Sequence, residues 1–162
     1  MDRNEILATL RALPDEIDGL TAGLSDEQLR RRPSAPTGGR PDEIEWSVLE
    51  VCCHLRDSAE IEGLRIRRLV QEDDPTLEPY DQEALARDRN YQGDDIGRVR
   101  TAVRAFWGGL AYQLEGLSEA DWQRAGTHPE QGPVTVAFRA QRMAEHAREH
   151  LAQMRGVRER TA

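Results

Sequence analysis

The chain has 162 residues, of which 38% are hydrophobic and 32% are charged, and its formal net charge is -8. This length and composition predict a single globular domain over residues 1–162, and the acidic charge argues against a nucleic acid as partner. All 22 basic residues are arginines, which excludes a Schiff-base lysine and a lysine general base.

The beginning of the chain predicts one long and one short helix. Apolar residues at alternating spacings of four and three predict a helix over residues 6–24. Pro14 should kink or restart this helix near Leu13. The sequence S-D-E-Q at 25–28 is typical of a capping box and predicts a short second helix. Residues 33–42 have the composition of a loop.

The middle of the chain predicts two more long helices joined by a long connection. The same apolar rhythm predicts helices from about residue 46 to 70 and from about 94 to 117. Residues 72–95 between them are rich in Asp, Glu, Pro and Gly, and only 82–87 have the pattern of a helical turn. A connection of this length is typical of a crossover or a functional segment.

The end of the chain predicts a fourth long helix. Residues 118–121 have the pattern of a cap for a short turn, residues 127–133 are predicted to be a loop, and the last helix should cover about 134–158. No segment has the alternation of a convincing strand. The sequence therefore predicts an all-α four-helix bundle.

The cysteines and the N-terminus bear on localisation. Cys52 and Cys53 are adjacent on one predicted helix, which argues against a disulfide framework and fits a reducing compartment. The N-terminus has no apolar signal core, and no segment approaches the roughly 18–20 apolar residues that cross a bilayer. We therefore expect a cytoplasmic protein without a membrane partner.

Three of the four histidines have the pattern of a metal site. His146 and His150 are four residues apart on the last predicted helix, so both side chains lie on one face and can reach one ion. His54 flanks the apolar stripe of the second long helix. If these two helices are neighbours, the three imidazoles converge. Three protein ligands leave one coordination position open for water or a thiolate, as in catalytic sites.

The same pattern also fits histidines that are hydrogen-bonded core residues. Buried ring nitrogens need partners, and a metal ion, a carboxylate or water would each provide them. Glu50, Asp57 and Gln153 lie within one helical turn of these histidines and are candidates to orient an imidazole, while a solvated helix surface is the alternative for each. His128 lies in a predicted loop and is expected to be exposed. The sequence identifies no catalytic acid or base.

Several segments match a known family. They are L-S-D-E-Q-L at 24–29, W-S-V-L-E-V-C-C-H-L at 46–55 followed by Asp57, L-S-E-A-D-W at 117–122, T-H-P-E at 127–130 and H-A-R-E-H-L-A-Q at 146–153. On these segments the chain resembles the DinB/YfiT-like family of metalloenzymes. The combination of W-S-x-x-E-x-x-x-H with a late H-x-x-x-H-x-x-Q is the most specific part of the match.

The resemblance implies both a topology and a metal site. It implies an up-down-down-up four-helix bundle, with a long crossover connection between the second and third helices, and often a homodimer. It also implies a divalent metal ion on His54, His146 and His150, with zinc or nickel expected first and manganese or iron as alternatives. The activities that it implies are thiol S-transfer with a low-molecular-weight thiol and hydrolysis of a small molecule.

Three functions stay open on the sequence alone. The first is a metal-dependent enzyme with a small-molecule substrate, because three ligands leave a position open. The second is a non-catalytic, stress-related bundle that binds a metal or a ligand, which the missing acid or base favours. The third is a metal-free interaction protein with histidines in its core.

Overall fold

Seven α-helices and one β-hairpin make up the part of the chain that the computed structural model describes, residues 1–34 and 45–161. In chain order the elements are α1 (Arg3–Thr21), α2 (Asp26–Arg30), α3 (Val48–Gln71), α4 (Gln82–Asp88), α5 (Ile96–Glu115), α6 (Glu119–Trp122), β1 (Ala125–His128), β2 (Gly132–Thr135) and α7 (Val136–Thr161). A single 3-10 turn at Tyr91–Gly93 precedes α5.

The four long helices form the bundle that the sequence predicts. α1 and α3 do not form one of the main helix pairs; each packs against both α5 and α7. The arrangement is the up-down-down-up bundle, in which the connection after α3 crosses to the parallel helix α5. α3 and α7 are therefore neighbours, which is the condition for the predicted histidines to meet.

Helix α1 continues through Pro14, so the restart, one of the two effects predicted near Leu13, is wrong, while the kink stays a prediction. Proline in a helix interior costs about 3 kcal/mol because it removes a backbone donor and crowds the preceding turn. Leu10, Leu13 and Ile17 are fully buried on this helix. Burial of such side chains stabilises by roughly 1.5–3 kcal/mol each, which is enough to offset the proline.

Reciprocal side-chain bonds begin three of the helices. At α2, the hydroxyl of Ser25 accepts from the backbone N–H of Gln28 at 3.2 Å, while the Gln28 side chain accepts from the backbone N–H of Ser25 at 2.9 Å. Equivalent capping boxes begin α3 and α6. The capping signals at residues 25–28 and 118–121 are thus confirmed.

The connections differ from the prediction at one place. The helical turn expected at 82–87 is confirmed as α4, but residues 127–133, predicted as a loop, form most of an antiparallel hairpin in which Ala125 pairs with Thr135 and His128 with Gly132. Thr127 also bonds to the chain after α3, because its N–H donates to Pro75 O at 2.9 Å. The strands are only four residues long, too short to show an alternation. The predicted loop at 33–42 lies mostly outside the described residues.

Membrane-spanning helices are absent from residues 1–34 and 45–161, since none of the helices there combines the length and the apolar character that a bilayer requires.

Candidate metal centre

Two neighbouring helices bring three histidines to one point. His54 lies in the first half of α3, and His146 and His150 lie one turn apart on α7. Their ring centroids are 4.3–4.9 Å apart. One ring nitrogen from each residue lies within 4.8 Å of the others. The closest pair is Nε2 of His54 and Nε2 of His146, at 3.0 Å.

Burial keeps these imidazoles neutral. His54 is only 1% exposed, and His146 and His150 are half-buried. Burial, followed by the charges of the neighbouring histidines, lowers the pKa of His54 from 6.5 to about 2. Burial, His150 and nearby arginines lower the pKa of His146 to about 3. Burial also lowers the pKa of His150, although its bond to Gln153 opposes this effect. Neutral imidazole is the form that binds a metal ion.

The donor set fits a divalent metal ion. Two nitrogens bound to a tetrahedral ion at about 2.0–2.1 Å lie roughly 3.3 Å apart, close to the 3.0 Å between the Nε2 atoms of His54 and His146. Among the described residues, no carboxylate is hydrogen-bonded to any of the three rings. Within this part of the chain, a buried carboxylate, one of the partners that the sequence left open, therefore does not satisfy the ring nitrogens.

Three side chains orient or enclose the rings. Nδ1 of His150 lies 2.7 Å from Oε1 of Gln153. The hydroxyl of Ser58 donates to the backbone carbonyl of His54 at 2.8 Å, and its oxygen lies 3.3 Å from Nε2 of His146. The centre of the Trp46 ring lies 4.9 Å from the centre of the His54 ring, so the two rings pack together.

Glu50 is not solvated and does not contact His54. It is 3% exposed, and its carboxylate accepts from the N–H of Ser47 at 2.9 Å, from Gln92 at 2.8 Å and from the guanidinium of Arg32. Burial favours a higher pKa for this carboxyl group, but the hydrogen bonds outweigh burial and leave the pKa below its usual value. Glu50 therefore caps α3 rather than orienting an imidazole.

Asp57 also contacts none of the histidines, unlike the orienting role that the sequence suggested for it. It is 1% exposed, and one of its oxygens accepts from Arg56 at 2.7 Å and from Arg89 at 2.9 Å. The other accepts the phenol proton of Tyr91 at 2.5 Å. Burial and this bond raise the pKa of Tyr91. Asp57 therefore anchors the connection between α3 and α5 to the bundle.

The remaining histidine and the two cysteines lie outside the cluster. His128 is 4% exposed rather than exposed as expected, because it lies in the hairpin, where its Nδ1 accepts from the N–H of Glu130 at 3.2 Å. Cys52 and Cys53 are fully buried free thiols. Burial raises the pKa of Cys52 to about 12 and that of Cys53 still further, so neither thiol is a nucleophile at neutral pH.

A buried charged cluster beside the histidines was not predicted. Glu62 of α3 lies between the guanidinium groups of Arg65 and Arg139. Its only signal in the sequence is a carboxylate in the otherwise apolar stripe of α3. Because Arg139 is 77 positions away from Glu62, no local pattern connects the two residues.

The fold and the histidine cluster define a class, a four-helix bundle in which the second and fourth long helices present three imidazoles to one point. The chain belongs to the DinB superfamily, whose family model matches residues 8–154. Its curated relatives include a protein of Oceanobacillus iheyensis provisionally named a metal-dependent hydrolase, 29% identical over 151 residues, which are 92% of this chain and 81% of that protein.

Two solved structures share the fold. YfiT from Bacillus subtilis, provisionally described as a metal-dependent hydrolase with an unusual four-helix bundle topology, is 21% identical with a TM-score of 0.85, and the match covers 99% of this chain and 89% of YfiT. A mycothiol-dependent maleylpyruvate isomerase is 10% identical with a TM-score of 0.72, covering 95% of this chain and 61% of the isomerase. At these identities the likeness concerns the fold alone.

Proposed function

We propose that this chain is a divalent-metal-dependent enzyme that acts on a small molecule, with the ion held by His54, His146 and His150. The observation that carries the proposal is the convergence of three neutral imidazoles within 4.8 Å. When bound, a divalent ion on three imidazoles supplies a Lewis acid with a free position, which lowers the pKa of water or of a thiol. The provisional names of the relatives support hydrolysis as the reaction.

The protein's own side chains have defined tasks in this proposal. Gln153 holds a proton on Nδ1 of His150, so that Nε2 keeps its lone pair for the ion. Trp46 packs against His54 and contributes to its burial. Ser58 and His146 both line a cavity of about 160 Å³. A small substrate would approach the histidines from this cavity.

The metal and the cellular setting stay predictions. An all-nitrogen donor set favours zinc or nickel over magnesium or calcium, with manganese or iron as alternatives. The homodimer is expected from the resemblance alone, and the cytoplasmic location from the two adjacent cysteines.

Thiol S-transfer is the second candidate. It rests on the fold shared with a mycothiol-dependent isomerase. The thiol would have to be an external low-molecular-weight compound, because the thiols of Cys52 and Cys53 are buried and their pKa values are raised. An external thiolate needs no protein general base, which suits a site where no carboxylate among the described residues bonds to the rings.

Metal analysis of the untagged protein tests the proposal. We expect close to one divalent ion per chain, and we expect His54→Ala and His150→Ala each to lose it. His128→Ala is the matched control, because His128 is a buried histidine outside the cluster and should keep the metal. Wild-type protein without a stoichiometric ion would contradict the metal site.

Turnover decides between enzyme and binding protein. Metal-loaded protein is assayed with ester and amide substrates, and with low-molecular-weight thiols plus electrophiles. Hydrolysis that disappears on chelation and in His54→Ala supports the first candidate, and thiol-dependent turnover supports the second. Turnover that survives complete metal removal would contradict both, and a metal-loaded protein without turnover would indicate a non-catalytic metal- or ligand-binding bundle.

A further inference from the structure

The cavity beside the histidine cluster is lined by cationic side chains. It has a volume of about 160 Å³, and its walls include Ser58, His146, the carboxylate residue Glu62 and the arginines Arg65, Arg139 and Arg142. The hydroxyl of Ser58 lies 3.3 Å from Nε2 of His146, so the cavity reaches the edge of the cluster. A space of this size holds one small functional group of a substrate.

Two of the arginines are buried around a single carboxylate. Nη1 of Arg65 lies 2.7 Å from Oε1 of Glu62, and Nε of Arg139 lies 3.0 Å from Oε2 of the same residue. Arg65 and Arg139 are each 8% exposed and Glu62 is 3% exposed. Two buried cations share one buried anion, which leaves one excess positive charge at the wall of the cavity.

The guanidinium groups keep hydrogen-bond donors for a ligand. Each guanidinium has five N–H donors. Among the described residues, contacts with Glu62 and Gln131 occupy three donors of Arg139, and contacts with Glu62 and the carbonyl of Glu78 occupy two donors of Arg65. Both arginines line the cavity, which places their guanidinium groups at its wall.

Tyr80 also lines the cavity and packs against Arg65. The guanidinium carbon of Arg65 lies 5.6 Å from the centre of the Tyr80 ring, which favours a cation on that face. The phenol oxygen of Tyr80 lies 3.5 Å from the hydroxyl of Ser58. Tyr80 therefore lies beside both Arg65 and Ser58, and Ser58 lies next to His146.

We propose that this cavity binds a carboxylate group of the substrate, with Arg65 and Arg139 as its anchors. A buried charge without a counter-charge is costly, and an anionic ligand removes that cost for the excess cation. A planar carboxylate matches the fork of donors on a guanidinium. That the ligand is a substrate rests on the proposed function, whereas the anion site itself rests on the cavity and on the charges that line it.

Calorimetric titration tests the site without an activity assay. The probes are succinate, its neutral counterpart succinamide, and inorganic phosphate, each at constant ionic strength. Both chelator-treated and zinc-loaded protein are titrated, because a carboxylate could also bind to zinc. We expect succinate to bind to the metal-free protein at least about tenfold more tightly than succinamide. Tighter binding of phosphate than of succinate would contradict a carboxylate site.

Variants that remove a positive or a negative charge from the cavity wall should change the affinity for succinate in opposite directions. Arg65→Gln removes the excess positive charge, while the ion pair between Glu62 and Arg139 remains. The affinity for succinate should therefore fall about tenfold. Glu62→Gln adds net positive charge and should strengthen binding. Arg67→Gln is the matched control, because Arg67 is an exposed arginine of α3 that lines a different groove, and it should leave the affinity unchanged.

The outcomes separate this inference from the proposed function. Succinate binding that depends on Arg65, in a protein that neither holds a divalent ion as purified nor binds added zinc, would support the anion site and contradict the metalloenzyme. A stoichiometric metal ion together with equal succinate affinity in wild type, Arg65→Gln and Arg67→Gln would overturn the anion site alone. If Arg65→Gln does not fold, Arg142→Gln, which changes an exposed side chain of the same cavity, should weaken succinate binding, and an unchanged affinity there overturns the inference.

Discussion

Nδ1 of His150 lies 2.7 Å from the side-chain oxygen of Gln153, one helical turn further along α7. An amide oxygen only accepts hydrogen bonds, so the proton of the neutral imidazole is on Nδ1 and Nε2 keeps a free lone pair. The contact thereby selects the tautomer of His150 and holds the ring in one orientation. A hydrogen-bond partner on the ring nitrogen that does not bind the metal tunes the affinity of a histidine for the ion.

We expect Gln153→Leu to weaken zinc binding by roughly 10–100-fold without removing the site, because all three imidazoles remain. Gln153→Glu should bind at least as tightly as wild type, since a carboxylate is a stronger acceptor. Competition with a chromophoric chelator measures both affinities. The control is Gln141→Leu, since Gln141 lies on the same helix and bonds to Glu145 instead. An equal loss in Gln141→Leu and Gln153→Leu would contradict the orienting role.

Asp57 should contribute to stability and not to metal binding. Asp57→Asn removes the charge that Arg56 and Arg89 share and weakens the acceptor for Tyr91, so it should lower the free energy of unfolding by roughly 2 kcal/mol. Zinc affinity should stay within about twofold of wild type, because Asp57 contacts none of the three histidines. Urea unfolding and chelator competition measure the two quantities.

The same substitution at an exposed position is the control for Asp57. Asp88→Asn at the end of α4 should change stability by less than about 0.5 kcal/mol. A large loss of zinc affinity in Asp57→Asn would show instead that this carboxylate orients His54, as its position in the sequence suggests.

Local patterns in the sequence were enough to predict the helices, and distant contacts were not predictable. The long helices and their capping boxes follow from apolar spacing and from pairs such as Ser25 and Gln28. The convergence of the histidines followed from their phase on two helices, once those helices are neighbours. The hairpin partner of His128 and the partner of Asp57 in the connection lie beyond the range of any periodic signal.

The features that the sequence did not predict are those that depend on tertiary packing. The apolar spacing of Leu10, Leu13 and Ile17 favours a helix and Pro14 opposes it, and only the burial of these side chains in the bundle decides that the helix continues. Glu62 interrupts an apolar stripe, which signals a buried polar residue, but its partner Arg139 comes from a distant part of the chain. Such pairs are set by the approach of α3 and α7 and not by local sequence.

Acid should destabilise the metal-free protein through its buried histidines. The pKa of His54 is lowered from 6.5 to about 2 and that of His146 to about 3, so the unfolded chain binds these protons first as pH falls. Stability is therefore fully present above about pH 6.5 and is lost below it, by roughly 1.4 kcal/mol per pH unit for each histidine. Urea unfolding of chelator-treated protein from about pH 7.5 down to about pH 4.5 measures this slope.

Removal of one histidine should reduce the slope. His54→Gln eliminates one of these protons, so the loss of stability with falling pH should become shallower by roughly 1.4 kcal/mol per pH unit. Identical slopes in the two proteins would contradict the assignment of His54 as a neutral buried group.

Gly126 in β1 should not tolerate a side chain. A Cβ atom at this position would lie 2.5 Å from the carbonyl oxygen of Pro75 and 2.8 Å from Cδ2 of Leu69. The Pro75 oxygen cannot move away easily, because it accepts from the N–H of Thr127 at 2.9 Å. Gly126→Ala should therefore lower the free energy of unfolding by roughly 1–3 kcal/mol, as measured by urea unfolding.

Gly108 is the matched control, with the opposite sign expected. It is an exposed residue inside α5, and a Cβ atom there would meet nothing within 4 Å. Gly108→Ala should raise stability by roughly 0.5–1 kcal/mol, because alanine loses less backbone entropy in a helix. Because both variants add the same methyl group, a difference in sign isolates the close contact between β1 and the chain after α3. Equal effects at the two positions would show that Gly126 is not held against Pro75.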